Sequence, residues 1–256
     1  RRKNNMTMDK QIIYGLRPVI EAVKSGKGID RIFFQSNLQG KLFFELKALL
    51  AQSGKHISTQ YVPVEKLDRL VGKQNHQGVV AQLSLIEYRD IEEIIEEIES
   101  NNEKPFLLML DSITDVRNLG AIARSAECAG VHALIVPQQS TAPINQDAIR
   151  TSAGALLRLP VCRVANTKTL LNLVKSLGIT TYVATEKADK NYTSMNAEEA
   201  LMIIMGNEEK GVNPQIIKMA DNLLSIPIKG CIESLNVSVA AGVMMYEVVR
   251  QREKRS

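Results

Sequence analysis

Apolar positions along the chain follow two periods, which predict strands and helices in alternation. Short continuous apolar runs such as Leu107-Leu-Met-Leu110 and Leu201-Met-Ile-Ile-Met205 are typical of strands buried on both faces of a parallel sheet. Stretches with apolar residues three and four positions apart predict the helices between them. The fold class is therefore predicted to be α/β throughout.

Within residues 8–85, alternating helical and strand patterns predict a small α/β domain of three layers. Glycine at position 26 follows the first predicted helix, as is typical of a helix C-terminus. The expected strands are residues 32–35, 57–61 and 79–85, and the expected helices are residues 18–24, 41–53 and 64–71.

Residues 86–104 predict the boundary between two domains. Isoleucines at positions 91, 94, 95 and 98 form one apolar stripe on a short acidic helix, and Asn101-Asn-Glu-Lys-Pro105 follows it. This segment is interpreted as an acidic linker, although it is equally compatible with the first helix of the second domain.

Residues 105–252 repeat the alternation with longer elements. The expected strands are residues 106–110, 133–137, 161–164, 181–185, 201–205 and 223–226. The expected helices are residues 119–129, 146–156, 168–177, 214–219 and 237–250. Nearly continuous apolar strands favour a parallel sheet covered on both faces.

Charge is distributed unevenly, although the net charge is only +4. Residues 1–85 contain 14 Lys and Arg against 6 Asp and Glu, whereas residues 86–103 contain 1 against 8. A basic first domain favours a polyanionic partner, because clustered cations gain affinity by releasing counterions from phosphates. Solubility alone explains the same balance about as well.

Composition argues against several classes of protein. No apolar run approaches the ~20 residues of a membrane span, so we expect a cytoplasmic protein. The three cysteines and three histidines lack metal-ligand spacing, so no metal site is predicted and the cysteines are expected to be small buried residues. No GxGxxG motif follows any strand, which disfavours a nucleotide-linked oxidoreductase.

Three segments in the second half follow predicted strands. The first contains Asn118, Gly120 and Arg124, whose polar side chains we expect to point toward the carboxyl edge of the sheet. An arginine on a helix otherwise rich in Ala and Ser needs a partner, and a surface salt bridge is the simplest one.

The second segment is Gly206-Asn-Glu-Glu-Lys-Gly211, directly after the most apolar strand. Its two acidic residues would repel phosphates, and its terminal glycines allow positive φ or close backbone approach to a ligand. The third segment runs from Ile226-Pro to Ser234-Leu-Asn-Val-Ser238, where Ser234 or Asn236 can cap the following helix. A tight turn and a helix cap are sufficient structural explanations for these two segments taken singly.

Taken together and in this order, the three segments resemble the SpoU (TrmH) branch of the SPOUT RNA methyltransferases. Tyr14-Gly-Leu-Arg-Pro18 and His76-Gln-Gly-Val-Val-Ala81 resemble the substrate-binding domain of the RlmB subgroup, which methylates a guanosine 2′-hydroxyl in 23S rRNA. The resemblance covers nearly the whole chain.

The resemblance implies S-adenosylmethionine bound by a deep C-terminal trefoil knot, a homodimeric catalytic domain and an RNA-binding N-terminal domain. It implies cofactor contacts from Gly206, Ile226 and Leu235. It implies that five further residues line the reaction site: Asn118, Arg124, Glu208, Ser234 and Asn236. We expect RNA contacts from exposed groups around Arg17, His76 and Gln77.

Methyl transfer to a ribose hydroxyl requires help in removing a weakly acidic proton. A guanidinium is a poor proton acceptor, so we hypothesise that Arg124 stabilises the developing 2′-oxyanion while Asn118 orients the ribose or the arginine. Glu208 would hold Arg124 or receive the proton through water. Alternatives are a tRNA or antibiotic-resistance rRNA methyltransferase of the same family, or a non-catalytic RNA-binding relative.

Overall fold

A computed structural model of the chain describes residues 12–53, 57–72 and 74–253. The chain divides between Leu85 and Ile86 into two compact units. The expected start of the first domain at residue 8 lies outside the described residues.

The first unit is a mixed sheet with helices on both faces, as the three-layer prediction requires. The strand order is β1-β4-β2-β3, with β2 and β3 parallel and β4 antiparallel to both of its neighbours. Helices α1 and α2 cover one face around Val19, Leu46 and Phe34, and α3 covers the other through Leu67. The elements are β1 (Ile12–Tyr14), α1 (Leu16–Lys24), β2 (Ile29–Gln35), α2 (Lys41–Gln52), β3 (Ser58–Val62), α3 (Val64–Val71) and β4 (Val79–Leu83).

The sequence missed β1, because three residues are too few to show a period. It also began β2 three residues late, since the polar Asp30 and Arg31 interrupt the apolar run there. Gly26 adopts a φ of 72° after α1, the left-handed conformation expected of a residue that ends a helix.

The second unit is a six-stranded, fully parallel sheet in the order β10-β8-β9-β5-β6-β7. Its strands are β5 (Phe106–Leu110), β6 (Ala133–Pro137), β7 (Val161–Val164), β8 (Thr180–Ala184), β9 (Leu201–Met205) and β10 (Asn222–Leu224). Its helices are α4 (Ile91–Ser100), α5 (Val116–Cys128), α6 (Gln146–Thr151), α7 (Thr167–Ser176), α8 (Pro214–Met219) and α9 (Val237–Glu253). Every residue of β5 and β9 is buried, as their continuous apolar runs predict.

Two hydrophobic layers cover this sheet. Helices α5 and α9 pack on one face through residues such as Ile122 and Met244, and α4, α7 and α8 pack on the other through Ile95, Leu171 and Ile216. Because the four isoleucines of α4 belong to the second layer, α4 is the first helix of the second unit, the alternative to an acidic linker.

The predicted helix over residues 146–156 is shorter than expected. α6 ends at Thr151, and a 3₁₀ turn over Ala155–Leu157 follows it. Ala153 and Gly154 have φ values of 51° and 85°, and this left-handed backbone interrupts the helix.

Candidate active site

The carboxyl ends of β8, β9 and β10 surround one cleft in the second unit, which we call the edge cleft. Crevices outside the carboxyl ends of parallel strands are the usual binding sites of open α/β sheets. Its lining comprises Ala184, Thr185, Glu186, Met205, Gly206, Asn207, Glu208, Gly211, Leu224, Ile226, Ile228, Glu233, Ser234, Leu235, Val237 and Ala240. The edge cleft therefore contains all three predicted cofactor contacts.

Asn236 is the centre of a hydrogen-bond network beside the edge cleft. Its Nδ2 donates to Glu208 Oε1 at 2.5 Å and to Asn118 Oδ1 at 3.0 Å. The same Glu208 oxygen accepts the backbone N–H of Val237 at 3.1 Å. Three residues that are 28 and 118 positions apart in the chain thus form one polar cluster, which we call the Asn–Glu–Asn cluster.

The beginning of α9 explains why Asn236 is fixed. Its Oδ1 accepts the backbone N–H of Ser238 at 3.0 Å, so the side chain caps the helix while its amide nitrogen holds the cluster. Ser234, the alternative cap, lines the edge cleft instead.

A second set of bonds joins the loop after β9 to the loop after β5. The buried carboxylate of Asp111 accepts the backbone N–H of Asn213 at 2.7 Å, and Asn207 Nδ2 donates to the carbonyl of Ser112 at 3.1 Å. The Asn207 side chain also accepts the N–H groups of Glu209 and Lys210. These contacts hold the loop that contains Glu208 next to the loop that leads to Asn118.

Sequence reasoning did not select Asp111 or Asn207 as site residues. The available signal was an acidic residue directly after a buried strand, and an asparagine in the second position of a tight loop. Both side chains bond to the backbone of neighbouring loops, and such bonds are also typical of ordinary turn residues.

Gly206 lies where the loop folds back on itself. A Cβ built there would lie 2.3 Å from the backbone nitrogen of Val212 and 2.4 Å from the carbonyl carbon of Gly211. Gly211 itself adopts a φ of 67°. The loop therefore needs glycine at Gly206 because its own backbone packs there, and at Gly211 because of the positive φ.

The chemistry of the edge cleft fits S-adenosylmethionine, the cofactor that the motifs imply. Met205, Leu224, Ile226 and Val237 provide apolar walls suited to an adenine ring, and Gly206 lies in the lining beside them. Ile226 is half-buried and Leu235 is 38% exposed, so both are accessible to a ligand.

Arg124 does not join the Asn–Glu–Asn cluster. It is exposed and forms no recorded hydrogen bond or ion pair with any described residue. Asn118 and Arg124 both lie in α5, and six helical positions separate them by about 9 Å along the axis and about 120° around it. The two side chains therefore leave α5 in different directions, and Glu208 binds Asn236 rather than Arg124 within the chain.

Gly120 has a packing function on the same helix. A Cβ there would lie 2.6 Å from the Cβ of Thr151, so glycine allows α5 to approach α6 closely.

The three expected RNA-binding residues differ in accessibility. Arg17 is exposed at the beginning of α1, and Gln77 is exposed while its Oε1 accepts the N–H of Leu16 at 3.1 Å. His76 is only 7% exposed, which contradicts the expectation of an exposed group. Its Nδ1 accepts the N–H of Gly78 at 2.9 Å and its Nε2 faces Asp68 Oδ1 at 3.3 Å, so the ring supports the loop from inside.

Cysteine burial is mixed. Cys162 is buried, and burial raises the pKa of its thiol to about 12, whereas Cys128 and Cys231 are exposed, contrary to expectation. The described residues contain no group of three His, Cys, Asp or Glu side chains able to hold a metal ion. Within the same residues, no helix is both long enough and apolar enough to cross a membrane.

Comparison with known proteins identifies the class of protein to which this fold and site belong. Residues 105–246 match the SpoU rRNA Methylase family, and residues 12–89 match the RNA 2′-O ribose methyltransferase substrate-binding domain. The chain is 34% identical over 247 residues to the putative TrmH family tRNA/rRNA methyltransferase YacO of Bacillus subtilis, covering 96% of this chain and 98% of YacO. It is 34% identical over 246 residues to a putative TrmH family tRNA/rRNA methyltransferase of Staphylococcus saprophyticus, covering 96% and 97%.

A solved structure agrees with these matches. The SpoU methyltransferase AviRb from Streptomyces viridochromogenes, crystallised with the cofactor AdoMet, superposes with a TM-score of 0.60 at 25% identity, covering 95% of this chain and 90% of AviRb. The chain belongs to the SpoU rRNA methylase family. Members of this family transfer a methyl group from S-adenosylmethionine to RNA, and the chain is an RNA methyltransferase of this type.

Proposed function

We propose that this protein methylates the 2′-hydroxyl of a guanosine ribose in 23S rRNA. The observation that supports this best is the direct bonding of Asn118, Glu208 and Asn236 beside the edge cleft. Such a cluster supplies fixed polar groups at the place where a ribose would meet the cofactor, and fixed dipoles lower the energy of a developing charge. The match of residues 12–89 to the substrate-binding domain supports RNA as the methyl acceptor.

S-adenosylmethionine supplies an activated methyl group when it is bound. Gly206, Ile226 and Leu235 would hold it, largely through their backbone, and the apolar walls of the edge cleft would exclude water from it. The trefoil knot that the resemblance implies would involve residues 225–236 and α9, which form one side of the edge cleft.

The residues of this chain then have to orient the ribose and manage the proton of its hydroxyl. Asn118 would orient the ribose, because its position is fixed by Asn236, and Ser234 would add a further hydrogen-bonding group. Glu208 Oε1 already accepts two N–H groups, so Oε2 is the oxygen able to receive the proton through water. Arg124 would stabilise the oxyanion that develops at the 2′-oxygen.

We propose a homodimer of the second unit. Val239 and Tyr246 on α9 are 52% and 51% exposed, and Gly242 lies between them on a helix with few polar positions. Burial of this surface against a second copy would remove apolar side chains from water. It would also allow Arg124, exposed and without a recorded partner in its own chain, to reach the edge cleft of the partner.

The first unit would dock the RNA substrate. Arg17 and Gln77 lie at the same end of its sheet, where the loop before β4 meets the beginning of α1, and they would contact phosphates and exposed bases. We place the protein in the cytoplasm, where its RNA substrate is found.

The test is methyl transfer with labelled S-adenosylmethionine. Unmodified total rRNA and tRNA, each incubated with the protein, would be digested and the labelled 2′-O-methyl nucleotide mapped. We expect label at a guanosine of 23S rRNA. Label in tRNA, in 16S rRNA or at another base would contradict the specificity, and cofactor and RNA binding without transfer would favour the non-catalytic alternative.

A further inference from the structure

An aromatic surface on the first unit has no assigned function. Phe44 occupies the outward face of α2 and is 61% exposed, and Tyr61 on the edge strand β3 is 54% exposed. An amphipathic helix normally places polar residues on that face, so a large exposed ring there calls for a functional explanation.

The two exposed rings are the ends of one continuous row. The ring centroids of Phe44 and Phe43 are 5.4 Å apart, those of Phe43 and Phe34 are 5.4 Å apart, and those of Phe34 and Tyr61 are 5.7 Å apart. Phe34 and Phe43 are buried in the core of the unit. The two exposed rings therefore rest on two buried rings that fix their positions. We call these four rings together the aromatic row.

Cations flank the exposed end of the aromatic row. Lys41 and Lys47 lie three positions before and after Phe44, so around α2 they flank it by about 60° on either side. Lys47 Nζ is 5.7 Å from the Phe43 centroid. Glu45, the one acidic residue of α2, is paired with Lys24 at 3.2 Å. This surface thus combines flat apolar faces with two lysines that form no ion pair with any residue the structure describes.

We infer that Phe44 and Tyr61, the exposed ends of the aromatic row, bind unpaired nucleotides of the RNA substrate by stacking, with Lys41 and Lys47 contacting the adjoining phosphates. The inference rests on the proposed function, since it takes RNA as the substrate. A positively charged surface with exposed rings is the chemistry that proteins use for single-stranded RNA. Paired bases are already stacked on each other, so a duplex offers the rings no free face.

Binding of a labelled, non-self-complementary ten-nucleotide RNA to the full-length protein, measured by fluorescence anisotropy without cofactor, tests this inference. Phe44→Ala should weaken binding by about 5- to 150-fold, the range found for loss of one stacked base. Phe44→Leu should lose as much, because leucine keeps apolar area without a ring, and Phe44→Tyr should restore affinity. Tyr61→Ala should also weaken binding.

Matched controls separate stacking from general damage. Val64→Ala removes another exposed apolar side chain of the same unit and should bind like wild type. A blunt RNA duplex should bind Phe44→Ala and wild type equally. Lys47→Gln should lower the slope of log affinity against log salt by about 0.7. This change should be the same for RNAs of different base sequence.

Unchanged oligonucleotide affinity in Phe44→Ala, or full affinity in Phe44→Leu, would overturn the inference. A second contradicting result would be unchanged RNA affinity of Phe44→Ala together with a changed oligomeric mass in light scattering. That result would indicate that the aromatic row is a protein interface. Methyl transfer by the wild type is measured separately. Ring-dependent RNA binding without transfer would defeat the proposed function alone, and transfer with ring-independent binding would defeat this inference alone.

Discussion

The side chains with proposed functions are held in different ways in the two units. In the second unit, Asn118, Glu208 and Asn236 bond to one another and to the backbone. In the first unit, Arg17, Lys41 and Phe44 are exposed side chains on helix surfaces. The difference matches two physical tasks, because stabilising a developing charge requires groups fixed in advance, whereas contacts to phosphates and bases tolerate side chains that adjust on binding.

Arg124 is the exception within the second unit, since it has a proposed function in the reaction but no hydrogen bond or ion pair to a described residue holds it. We expect Arg124→Lys to lower kcat by about 10²–10³-fold, because lysine keeps the charge but loses the planar fork. Cofactor and RNA affinities should change little. Steady-state kinetics measures kcat, and isothermal titration measures the two affinities. The control is Arg158→Lys, the same substitution at another exposed arginine. Near-normal turnover of Arg124→Lys would remove Arg124 from the reaction.

The Asn–Glu–Asn cluster predicts a different pattern at Glu208. Glu208→Ala removes the acceptor of both Asn236 and Val237 N–H, and we expect kcat to fall by about 10²-fold as the cluster loosens. Glu208→Gln keeps a similar shape but removes the charge. A Gln variant as slow as the Ala variant would support proton transfer through Glu208, and a Gln variant as fast as wild type would leave only an orienting function.

Gly206 tests whether the edge cleft needs its close backbone turn. Gly206→Ala would place a methyl group 2.3 Å from the nitrogen of Val212, and the loop must shift. Overpacking of this kind costs about 1–3 kcal/mol. We expect S-adenosylmethionine affinity, measured calorimetrically, to fall by roughly 5- to 150-fold. The control is Gly230→Ala, because no heavy atom lies within 4 Å of the new carbon there. Equal cofactor affinities of the two variants would contradict a requirement for the close turn at Gly206.

Arg17 tests the exposed groups of the first unit. We expect Arg17→Gln to weaken RNA binding a few-fold at low salt and to reduce the salt slope by about 0.7–0.9, because one phosphate contact is lost. Cofactor affinity should be unchanged. A salt titration of RNA binding provides the measurement, and an unaltered slope would show that Arg17 contacts no phosphate.

The smallest expected effect concerns stability at the amino ends of β8 and β10, opposite the ends that form the edge cleft. Asp221 accepts the N–H and hydroxyl of Thr181 in β8 and pairs with Lys175 at 3.0 Å. Burial alone would raise the pKa of Asp221, but hydrogen bonds from Thr181 and Lys175 outweigh it and hold the pKa below its ordinary value.

A lowered folded-state pKa stabilises the protein above the unfolded pKa of about 3.9, and this contribution disappears as the pH falls through the lower folded value. We expect Asp221→Asn to lower the free energy of unfolding by about 0.5–1 kcal/mol at pH 7, because the group is partly exposed, and by progressively less below pH 4. Urea unfolding at several pH values measures this. A difference that grows on acidification would reverse the assigned sign.

Sequence patterns predicted the second unit more closely than the first. The bounds of β5, β6, β7, β9 and α8 agree with the prediction to the residue, because buried parallel strands have uninterrupted apolar runs with clear ends. In the first unit, β1 was missed because a three-residue strand shows no period, and β2 was shortened because Asp30 and Arg31 interrupt its apolar run. The motif residues of the edge cleft were found from the sequence, whereas Asp111 and Asn207 emerged only from their contacts.

The sequence by itself determined the α/β class, the two units and the family, because these follow from local patterns and ordered motifs. It also predicted several residues that line the edge cleft, among them Gly206, Ile226 and Leu235. Only the tertiary structure decided that Glu208 bonds to Asn236, that Arg124 stands apart from both, that His76 is buried and that Phe44 and Tyr61 end one row of rings. Such pairings join residues far apart in the chain. They depend on which strand ends and helix faces the packed cores bring together, which no local pattern specifies.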